Sequence, residues 1–486
     1  MKYAYPPKPH RMSKKPTIFQ SLIPILTLIG LIGLNVTLLG DDTLSGANQM
    51  SLLIASGVAA CIAFYNRKHW NDILKGILHT LTGAIPAILI LLMIGVLAGT
   101  WMLSGIIPAM IHYGLYILRP DYFLPAAVVI SAVISVATGS SWSTVATVGV
   151  ALLGIGQTLG FNDAMIAGAI ISGAYFGDKI SPLSDTTNLA AATAEVSLFT
   201  HIRYMMFTTG PTMLITLVIF VILSLCSDIA PTGASVESVQ QTITTHYNIS
   251  PLLFIVPVIV IVMIVRKMPP VPVLFIGGIL GGILALICQP SVIAQLSGDA
   301  ELTAGGAYRV ITKAMYGTIS MNTGDPAVDA LFTSKGMAGM LNTVWLIICA
   351  MCFGGVMTGS GMLRSLTSIF LRWVRRAFSA VASTVGAGLF FNLCTADQYI
   401  SIILSGRLFR DLYADRGLEP RLLSRSVEDS ATVCSVLIPW NSCGMTQATV
   451  LGVSTFVYAP YCIFNIVSPL MSLLVAAVGW NIKRKK

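Results

Sequence analysis

Residues 177–188, "GDKISPLSDTTN", place two carboxylates, a lysine and several hydroxyl or amide side chains between flanks of small apolar residues. A charged residue at the centre of a lipid bilayer costs about 2.5–3.5 kcal/mol, so this cluster indicates a functional site if its flanks lie in a membrane. Hard cations such as Na⁺ prefer oxygen ligands, and the stretch has no histidine or cysteine that would favour a transition metal. A carboxylate here can hold a proton or Na⁺, and we expect Asp178 and Asp185 to hold Na⁺. The residues predicted to bind the cation or the proton are Asp178, Ser181, Ser184, Asp185, Thr186, Asn188 and, from a later stretch, Asp397.

Pro182 is predicted to interrupt the helix that carries this stretch. Proline has no N–H group and disfavours a helical conformation at the preceding Ser181. A second interruption is expected at "LIPWNSCG", residues 437–444. Backbone at membrane depth must be hydrogen-bonded unless it lines an enclosed cavity, so two helix breaks at matching positions indicate a binding site near the middle of a membrane.

Long apolar runs recur along the whole chain. Of its 486 residues 55% are hydrophobic and 10% charged, whereas soluble domains average about a quarter charged residues. A spanning helix needs roughly 20 apolar residues, so the expected fold class is an all-α polytopic membrane protein with 10–14 membrane segments. The lower number applies if residues 122–160 and 380–408 are re-entrant hairpins with tips at "ATGSSWS" and "CTADQY".

The chain also matches itself at a shift of 257 residues, which places Thr138 on Thr395 and Pro182 on Pro439. Residues 149–168 contain one charged residue, whereas the matching residues 406–425 contain five arginines. This asymmetry puts the two connectors on opposite sides of the membrane, which predicts two inverted-topology repeats. The residues predicted to support the site from the two repeats are Thr138, Ser140, Ser141, Ser143, Lys179, Pro182, Glu428, Asp429, Ser435, Pro439, Asn441 and Ser442.

The net charge of +9 is concentrated near the chain ends. Under the positive-inside rule the basic ends place both termini in the cytoplasm, so the charge sets orientation and does not indicate a nucleic-acid partner. The domain organisation that we expect is a cytoplasmic tail (1–17), a first transmembrane half (18–226), an extracytoplasmic linker (227–250), a second transmembrane half (251–480) and a cytoplasmic tail (481–486).

Structural roles remain open for several of these residues. Asp178 and Lys179 could form a static ion pair, and Glu428 and Asp429 could pair with Arg425 at the end of a basic connector. The hydroxyl groups of "TGSSWS" could bond back to the preceding helical turn.

The segments "GAYFGDKISPLSDTTNLAA", "TGSSWSTVATVGVALLGIG" and "SVEDSATVCSVLIPWNSCG" together resemble the NhaC family of Na⁺/H⁺ antiporters. The resemblance extends over residues 20–478 and favours the ten-pass arrangement. It implies exchange of Na⁺ for H⁺ across a bacterial cytoplasmic membrane, with no cofactor. The motif residues that carry over are Asp178, Ser181, Pro182, Asp185, Thr186 and Asn188.

Other functions fit the sequence less well. The family also contains Na⁺/H⁺-coupled malate–lactate exchangers, but no binding arginine is evident in the core of this chain. An intramembrane aspartyl protease could use Asp178 and Asp397, but an enzyme would not need two broken helices. A channel would not need titratable carboxylates in both halves.

The energy source also follows from the sequence. No G-x-x-x-x-G-K-[ST] motif for ATP binding occurs, so ion gradients must drive transport. The expected partners are the lipid bilayer, Na⁺ and H⁺, and a homodimer is left open.

Overall fold

The computed structural model describes residues 14–39, 46–227, 236–298, 302–321, 329, 332–372, 374, 376–480 and 482. The basic chain ends that set the predicted orientation lie largely outside these residues, as does the 228–235 part of the predicted linker.

Helices dominate the first half of the chain. Their bounds are α1 (Ile18–Leu39), α2 (Ala47–Tyr65), α3 (Trp70–Leu103), α4 (Ile106–Ile117), α5 (Phe123–Thr138), α6 (Ser141–Thr144), α7 (Val150–Thr158), α8 (Asp163–Ile180), α9 (Asp185–Thr193) and α10 (Leu198–Cys226). A 3-10 turn at Pro120–Tyr122 precedes α5, and a π-helix at Val145–Gly149 joins α6 to α7 without a break.

The second half is helical as well. Its helices are α11 (Val236–His246), α12 (Ile255–Val265), α13 (Pro270–Cys288), α14 (Pro290–Ser297), α15 (Ala304–Tyr316), α16 (Leu341–Gly359), α17 (Met362–Arg372), α18 (Ala377–Thr395), α19 (Gln398–Asp415), α20 (Pro420–Val427), α21 (Ser442–Leu451), α22 (Thr455–Tyr458) and α23 (Ile463–Val478). Shorter turns are 3-10 helices at Pro251–Phe254, Met337–Met340, Ser435–Leu437 and Ala459–Tyr461 and a π-helix at Glu428–Thr432. Strand β1 (Ile319–Ser320) pairs antiparallel with β2 (Thr333–Ser334).

Among the described residues, eight helices are long and apolar enough to cross a membrane. Two further helix pairs, at residues 236–265 and 455–478, are bent by 89° and 57°, and the number of spans becomes ten if each pair crosses once. The buried apolar side chains form two clusters, one around α4–α8 and α11–α15 and the other around α1–α3 and α16–α20. The expected fold class, an all-α polytopic membrane protein, is confirmed.

Both predicted hairpin tips are helix reversals, and they have the same local geometry. Gly139 follows α5 with φ +67°, and Ala396 follows α18 with φ +56°. The next residue then caps the following helix: Ser140 Oγ accepts a bond from the Ser143 N–H (3.2 Å), and Asp397 Oδ1 accepts one from the Ile400 N–H (2.9 Å). That these hairpins enter and leave the membrane on one side stays a prediction.

Both predicted helix breaks are also present. Helix α8 ends at Ile180, and Ser181 is extended with φ −76° and ψ 130°. At the position 257 residues later, Ile438 is extended with φ −106° and ψ 117°. The chain then resumes as α9 and α21, whose first residues, Asp185 and Ser442, are again 257 apart.

The two repeats pack reciprocally. Helix α9, which follows the first break, lies on α19, the second arm of the other hairpin. Helix α21, which follows the second break, lies on α6, α7 and the π-helix between them. A two-fold relation between the halves would produce this exchange of contacts, although the inverted orientation itself stays a prediction.

Glycine allows α3 to approach α16 closely. A Cβ atom at Gly76 would lie 2.3 Å from the Gly355 carbonyl oxygen and 2.8 Å from the Gly359 nitrogen. Both are backbone atoms of α16, so the neighbour has no flexible side chain that could move aside. One turn later on α3, the Thr80 hydroxyl donates a hydrogen bond to the Met351 carbonyl oxygen of α16 at 2.8 Å. This bond also joins the two helices.

We therefore expect Gly76→Ala to lower stability by about 1–3 kcal/mol, the usual cost of overpacking. Gly83→Ala is the matched control, because Gly83 lies on the same helix and a Cβ atom there would have no neighbour within 4 Å. The midpoint of thermal unfolding of the purified protein in detergent should fall for Gly76→Ala and stay level or rise for Gly83→Ala. Equal shifts in the two variants would contradict the close α3–α16 contact.

Candidate cation site

Asp178 lies in the last turn of α8 and contacts the tip of the first hairpin. The Ser141 N–H and the Ser141 hydroxyl both donate to Asp178 Oδ2, at 3.1 and 2.8 Å. Both residues are buried. The hairpin tip thus supplies two hydrogen bonds to a carboxylate on the helix that breaks three residues later.

Asp397 lies at the tip of the second hairpin, 257 residues after Ser140, and it contacts the helix that follows the second break. Its Oδ2 accepts a bond from the Ser442 hydroxyl at 3.3 Å, and the Ser442 N–H donates to the Ala396 carbonyl oxygen at 2.8 Å. The first-half contact between Ser141 and Asp178 recurs 257 residues later between Gln398 and Ser435, where the Ser435 hydroxyl donates to Gln398 Oε1 at 3.1 Å. In one half the carboxylate is on the broken helix, and in the other it is on the hairpin tip.

A cavity of about 900 Å³ is lined by the three predicted carboxylates Asp178, Asp185 and Asp397. Asp185 is exposed in the first turn of α9, whereas Asp178 and Asp397 are buried. Among the described residues no three His, Cys, Asp or Glu side chains converge closely enough to hold a metal ion. Of the predicted residues, the cavity is also lined by Thr138, Ser140, Ser143, Pro182, Thr186 and Asn188.

Other residues of the predicted site hold the backbone of the break. The Ser181 hydroxyl donates to the Val136 carbonyl oxygen (2.8 Å) and accepts a bond from the Leu183 N–H (3.2 Å). Ser184 caps α9 by accepting from the Thr187 N–H at 3.4 Å. These contacts give Ser181 and Ser184 a structural role, and ion ligation by either of them stays a prediction.

Lys179 lies in a second polar cluster, apart from its neighbour Asp178. Its ammonium group forms an ion pair with Asp429 and donates to the Ser468 hydroxyl at 3.1 Å. The Thr208 hydroxyl also donates to Asp429 Oδ1 at 3.3 Å. The described residues therefore contain no Asp178–Lys179 ion pair, and Lys179 instead connects the two halves of the chain.

Arg425 belongs to this cluster and is completely buried. Its Nε lies 3.9 Å from Asp429 Oδ2, and its guanidinium group lies 5.0 Å from the centre of the Tyr204 ring. None of its side-chain nitrogen atoms has a hydrogen-bond partner among the described residues. The core does contain an arginine that was not evident from the sequence, because Arg425 lies at the inner end of the basic connector and turns into the bundle.

Glu428 adjoins the same cluster. One of its carboxylate oxygens accepts a long hydrogen bond from the Thr186 hydroxyl at 3.5 Å, and the other has no partner among the described residues. Since Thr186 lines the carboxylate cavity, this contact joins the cavity wall to the buried cluster. The alternative that Glu428 pairs with Arg425 is not found among the described ion pairs, whereas Asp429 does lie beside Arg425.

The remaining second-half residues support the structure of the other break. Asn441 caps α21 by accepting from the Cys443 N–H at 3.1 Å, and its amide donates to Asn392 Oδ1 at 3.2 Å. Pro439 lines a different cavity, of about 570 Å³, which reaches α21 and also includes Asp163 and Thr449. Each broken helix thus has a cavity of its own.

The cavity residues that sequence reasoning missed include Trp142, Gln398 and Tyr399. Gln398 could have been found, because it lies 257 residues after Ser141 and directly after Asp397. Trp142 and Tyr399 had no such signal, since an aromatic residue in an apolar sequence is most often part of the core.

The fold and the site define a polytopic helical membrane protein with a carboxylate-lined cavity at a broken helix. Residues 173–480 match the model of the Na⁺/H⁺ antiporter family. The chain belongs to this family.

Known relatives are similar over almost the full chain. The Na⁺/H⁺ antiporter NhaC of Bacillus subtilis is 35% identical over 432 residues, 88% of this chain and 91% of its own. NhaC of Alkalihalophilus pseudofirmus is 32% identical over 475 residues, 98% of each chain. The malate-2H⁺/Na⁺-lactate antiporter of Bacillus subtilis is 32% identical over 465 residues, 96% of this chain and 95% of its own.

The second cluster predicts an order of stability among variants. Asp429→Asn removes the anion that Lys179 and Arg425 share and should cost about 3–5 kcal/mol, as expected when a buried ion pair loses one partner. Lys179→Met should cost less, because Arg425 still faces Asp429. Ser468→Ala is the control, because it removes only one hydroxyl group from the cluster. It should lower the free energy of unfolding by about 1 kcal/mol.

The measurement is the midpoint of thermal unfolding in detergent, which should be lowest for Asp429→Asn and highest for Ser468→Ala. A lower midpoint for Lys179→Met than for Asp429→Asn would mean that Arg425 does not compensate Asp429.

Proposed function

We propose that this protein is a secondary antiporter that exports Na⁺ in exchange for H⁺ across a bacterial cytoplasmic membrane. The observation that carries the proposal is the cavity beside a helix break that Asp178, Asp185 and Asp397 all line. Membership of the Na⁺/H⁺ antiporter family and the likeness to two NhaC proteins support transport of these two ions. A transporter, rather than an enzyme, is the class that these relatives favour.

The proposed chemistry is competition between Na⁺ and H⁺ for carboxylate oxygens. Na⁺ enters the cavity at the exposed Asp185 and binds to Asp178, whose Oδ2 is oriented by the two Ser141 donors. Hydroxyl and amide oxygens of the wall complete an oxygen-rich ligand set of the kind that hard cations prefer. Protonation of Asp178 removes the negative charge that holds Na⁺ and releases the ion.

Exchange also requires that the site open to one side at a time. The cavity with the three carboxylates is lined by Lys267 in the turn between α12 and α13, which also contains Arg266. Under the positive-inside rule this turn is cytoplasmic, so the described conformation faces inward, with both chain ends on the same side. The second cavity, at α21, would then belong to the outward path, and the halves 18–226 and 251–480 would exchange roles as inverted repeats.

A second candidate is a Na⁺/H⁺-coupled exchanger of organic acids. It is favoured by one relative, the malate-2H⁺/Na⁺-lactate antiporter, and by the buried Arg425, since arginine is well suited to bind a carboxylate. Arg425 lines neither of the two cavities described above, and its charge already faces Asp429. Plain Na⁺/H⁺ antiport is therefore the better supported function.

The test uses purified protein in liposomes that contain a trapped pH dye. A pulse of NaCl against an imposed proton gradient should change the internal pH without malate or lactate. Asp178→Asn should abolish this response, because a neutral amide cannot exchange a proton for Na⁺, and Asp185→Asn should reduce it at least tenfold. Asp411→Asn is the control, since Asp411 is an exposed carboxylate on α19 whose side chain is 85% accessible.

Each alternative outcome has a distinct meaning. A response only in the presence of malate or lactate would establish the organic-acid exchanger instead. Full activity in Asp178→Asn would show that the site is misassigned, whatever the substrate.

Ser141→Ala should weaken Na⁺ transport without abolishing it. A hydrogen bond to a charged group contributes about 1.5–3 kcal/mol, and its loss favours the protonated carboxyl over the carboxylate that binds Na⁺. The Na⁺ concentration for half-maximal exchange, measured in the same liposomes, should therefore rise about tenfold.

Ser131→Ala is the matched control for this variant, because Ser131 is a buried serine of the same hairpin whose hydroxyl has no partner among the described residues. An unchanged half-maximal Na⁺ concentration in Ser141→Ala would exclude Asp178 as the competed carboxylate.

A further inference from the structure

A third cavity, of about 980 Å³, lies where the described chain begins. Four separate parts of the chain form its walls: residues 14–18, the turn after α2, residues 358–367 and the middle of α19. This cavity shares no lining residue with the carboxylate cavity or with the cavity at α21.

The walls of this third cavity carry a strong positive charge. Five cationic residues line it, and no aspartate or glutamate does. None of the five forms an ion pair within the described part of the chain. The cationic residues are Lys14, Lys15, Lys68, Arg364 and Arg407. Since each of the four walls contributes at least one of them, the charge converges on one concave surface and is not spread along a loop.

Hydrogen bonds hold the rim of the cavity in place. The Lys14 N–H donates to the Asn66 carbonyl oxygen at 3.0 Å, and the Ser365 hydroxyl donates to the Pro16 carbonyl oxygen at 2.7 Å. The buried Asn66 also donates to Gln20 Oε1 at 3.1 Å. The segment before α1 is thereby fastened to the end of α2 on one side and to α17 on the other.

The cavity lies beside the ends of two helices that are long and apolar enough to cross a membrane. Helix α1 begins at Ile18 and α2 ends at Tyr65, so both candidate spans terminate beside it. Phe19, Tyr65 and Trp70 are 76%, 77% and 51% exposed at this level, as expected for an interfacial belt of aromatic residues.

Apolar side chains also line the cavity. Ile18, Leu363, Leu404 and Leu408 line it together with the cations. A small anion would need only the charged part, whereas a lipid would use both. Basic pockets between transmembrane helices are suited to the phosphate of an anionic headgroup.

We propose that this cavity binds one anionic phospholipid, with its phosphate among Lys68, Arg364 and Arg407 and an acyl chain along the apolar wall. The proposal goes beyond the proposed antiport and does not rest on it. A bound lipid would contact α19, the helix that is capped by Asp397 about 15 Å from Arg407 along the helix axis.

The experiment is native mass spectrometry of the full-length protein in detergent, titrated with phosphatidylglycerol or, separately, with phosphatidylcholine. The wild type should retain one phosphatidylglycerol molecule at least tenfold more tightly than phosphatidylcholine. The triple variant Lys68→Gln, Arg364→Gln, Arg407→Gln should lose that preference. The matched control is the triple variant Lys75→Gln, Arg203→Gln, Arg266→Gln, which removes three exposed cations that do not line this cavity.

Each outcome decides the proposal. The proposal is supported if the Lys68, Arg364 and Arg407 variant loses the preference for phosphatidylglycerol and the control variant keeps it. Equal retention of the two lipids by the wild type overturns it, and so does equal loss in both variants, which would indicate only general surface charge. If millimolar glycerol phosphate displaces the lipid as well as phosphatidylglycerol does, the site recognises free phosphate groups and the acyl-chain contact is wrong. The thermal-unfolding midpoints of both triple variants should lie within a few degrees of the wild type. Loss of lipid binding then cannot be attributed to unfolding.

Discussion

Backbone groups that a helix break exposes inside an apolar bundle need hydrogen-bond partners, and at the first break the local side chains supply them. The Thr187 hydroxyl donates to the Lys179 carbonyl oxygen at 3.0 Å, and the Asn188 amide donates to the carbonyl oxygens of Pro182 and Ser184 at 3.2 and 2.7 Å. Much of the polar stretch is therefore occupied by its own backbone. The carboxylates of Asp178 and Asp185 line the cavity, and Asp178 accepts its hydrogen bonds from Ser141 of the hairpin tip and not from the backbone of the break.

The second break meets the same requirement with different side chains. The Trp440 ring N–H donates to the Leu393 carbonyl oxygen at 2.9 Å, and the Asn392 amide donates to the Ala431 carbonyl oxygen at 2.7 Å. The first bond joins the break to α18, and the second joins α18 to the π-helix that precedes the break, so the hairpin holds this whole region. The second half contributes a single carboxylate, Asp397, to the lining of the cavity. The two halves thus share the backbone path around the break and differ in the number of carboxylates that they bring to the cavity.

Local backbone events could be predicted from the sequence, because proline, glycine and capping side chains act over a few residues. The breaks around Pro182 and Pro439 and the reversals after Thr138 and Thr395 are in this class. Contacts between charged residues of distant segments could not be predicted, since Lys179 pairs with a residue 250 positions away. The contact between Asp429 and Arg425, which are four residues apart, was among the alternatives that the sequence offered. The complete burial of Arg425 was not predicted, since a basic connector gives no indication of which arginine turns inward.

Asp178 and Lys179 are consecutive residues of α8 with separate environments, and this limits how the end of the helix can move. Asp178 faces the cavity and the tip of the first hairpin, whereas Lys179 is bound to Asp429 from the second half. A displacement of this turn that changes the contact between Asp178 and Ser141 must also strain or break the ion pair with Asp429, because one stretch of helix carries both side chains. A buried ion pair that loses one partner is costly, so the cluster resists movement of α8 unless Asp429 moves with it. A movement of the end of α8 that changes the accessibility of the cavity therefore has to carry the π-helical segment of the second half along with it.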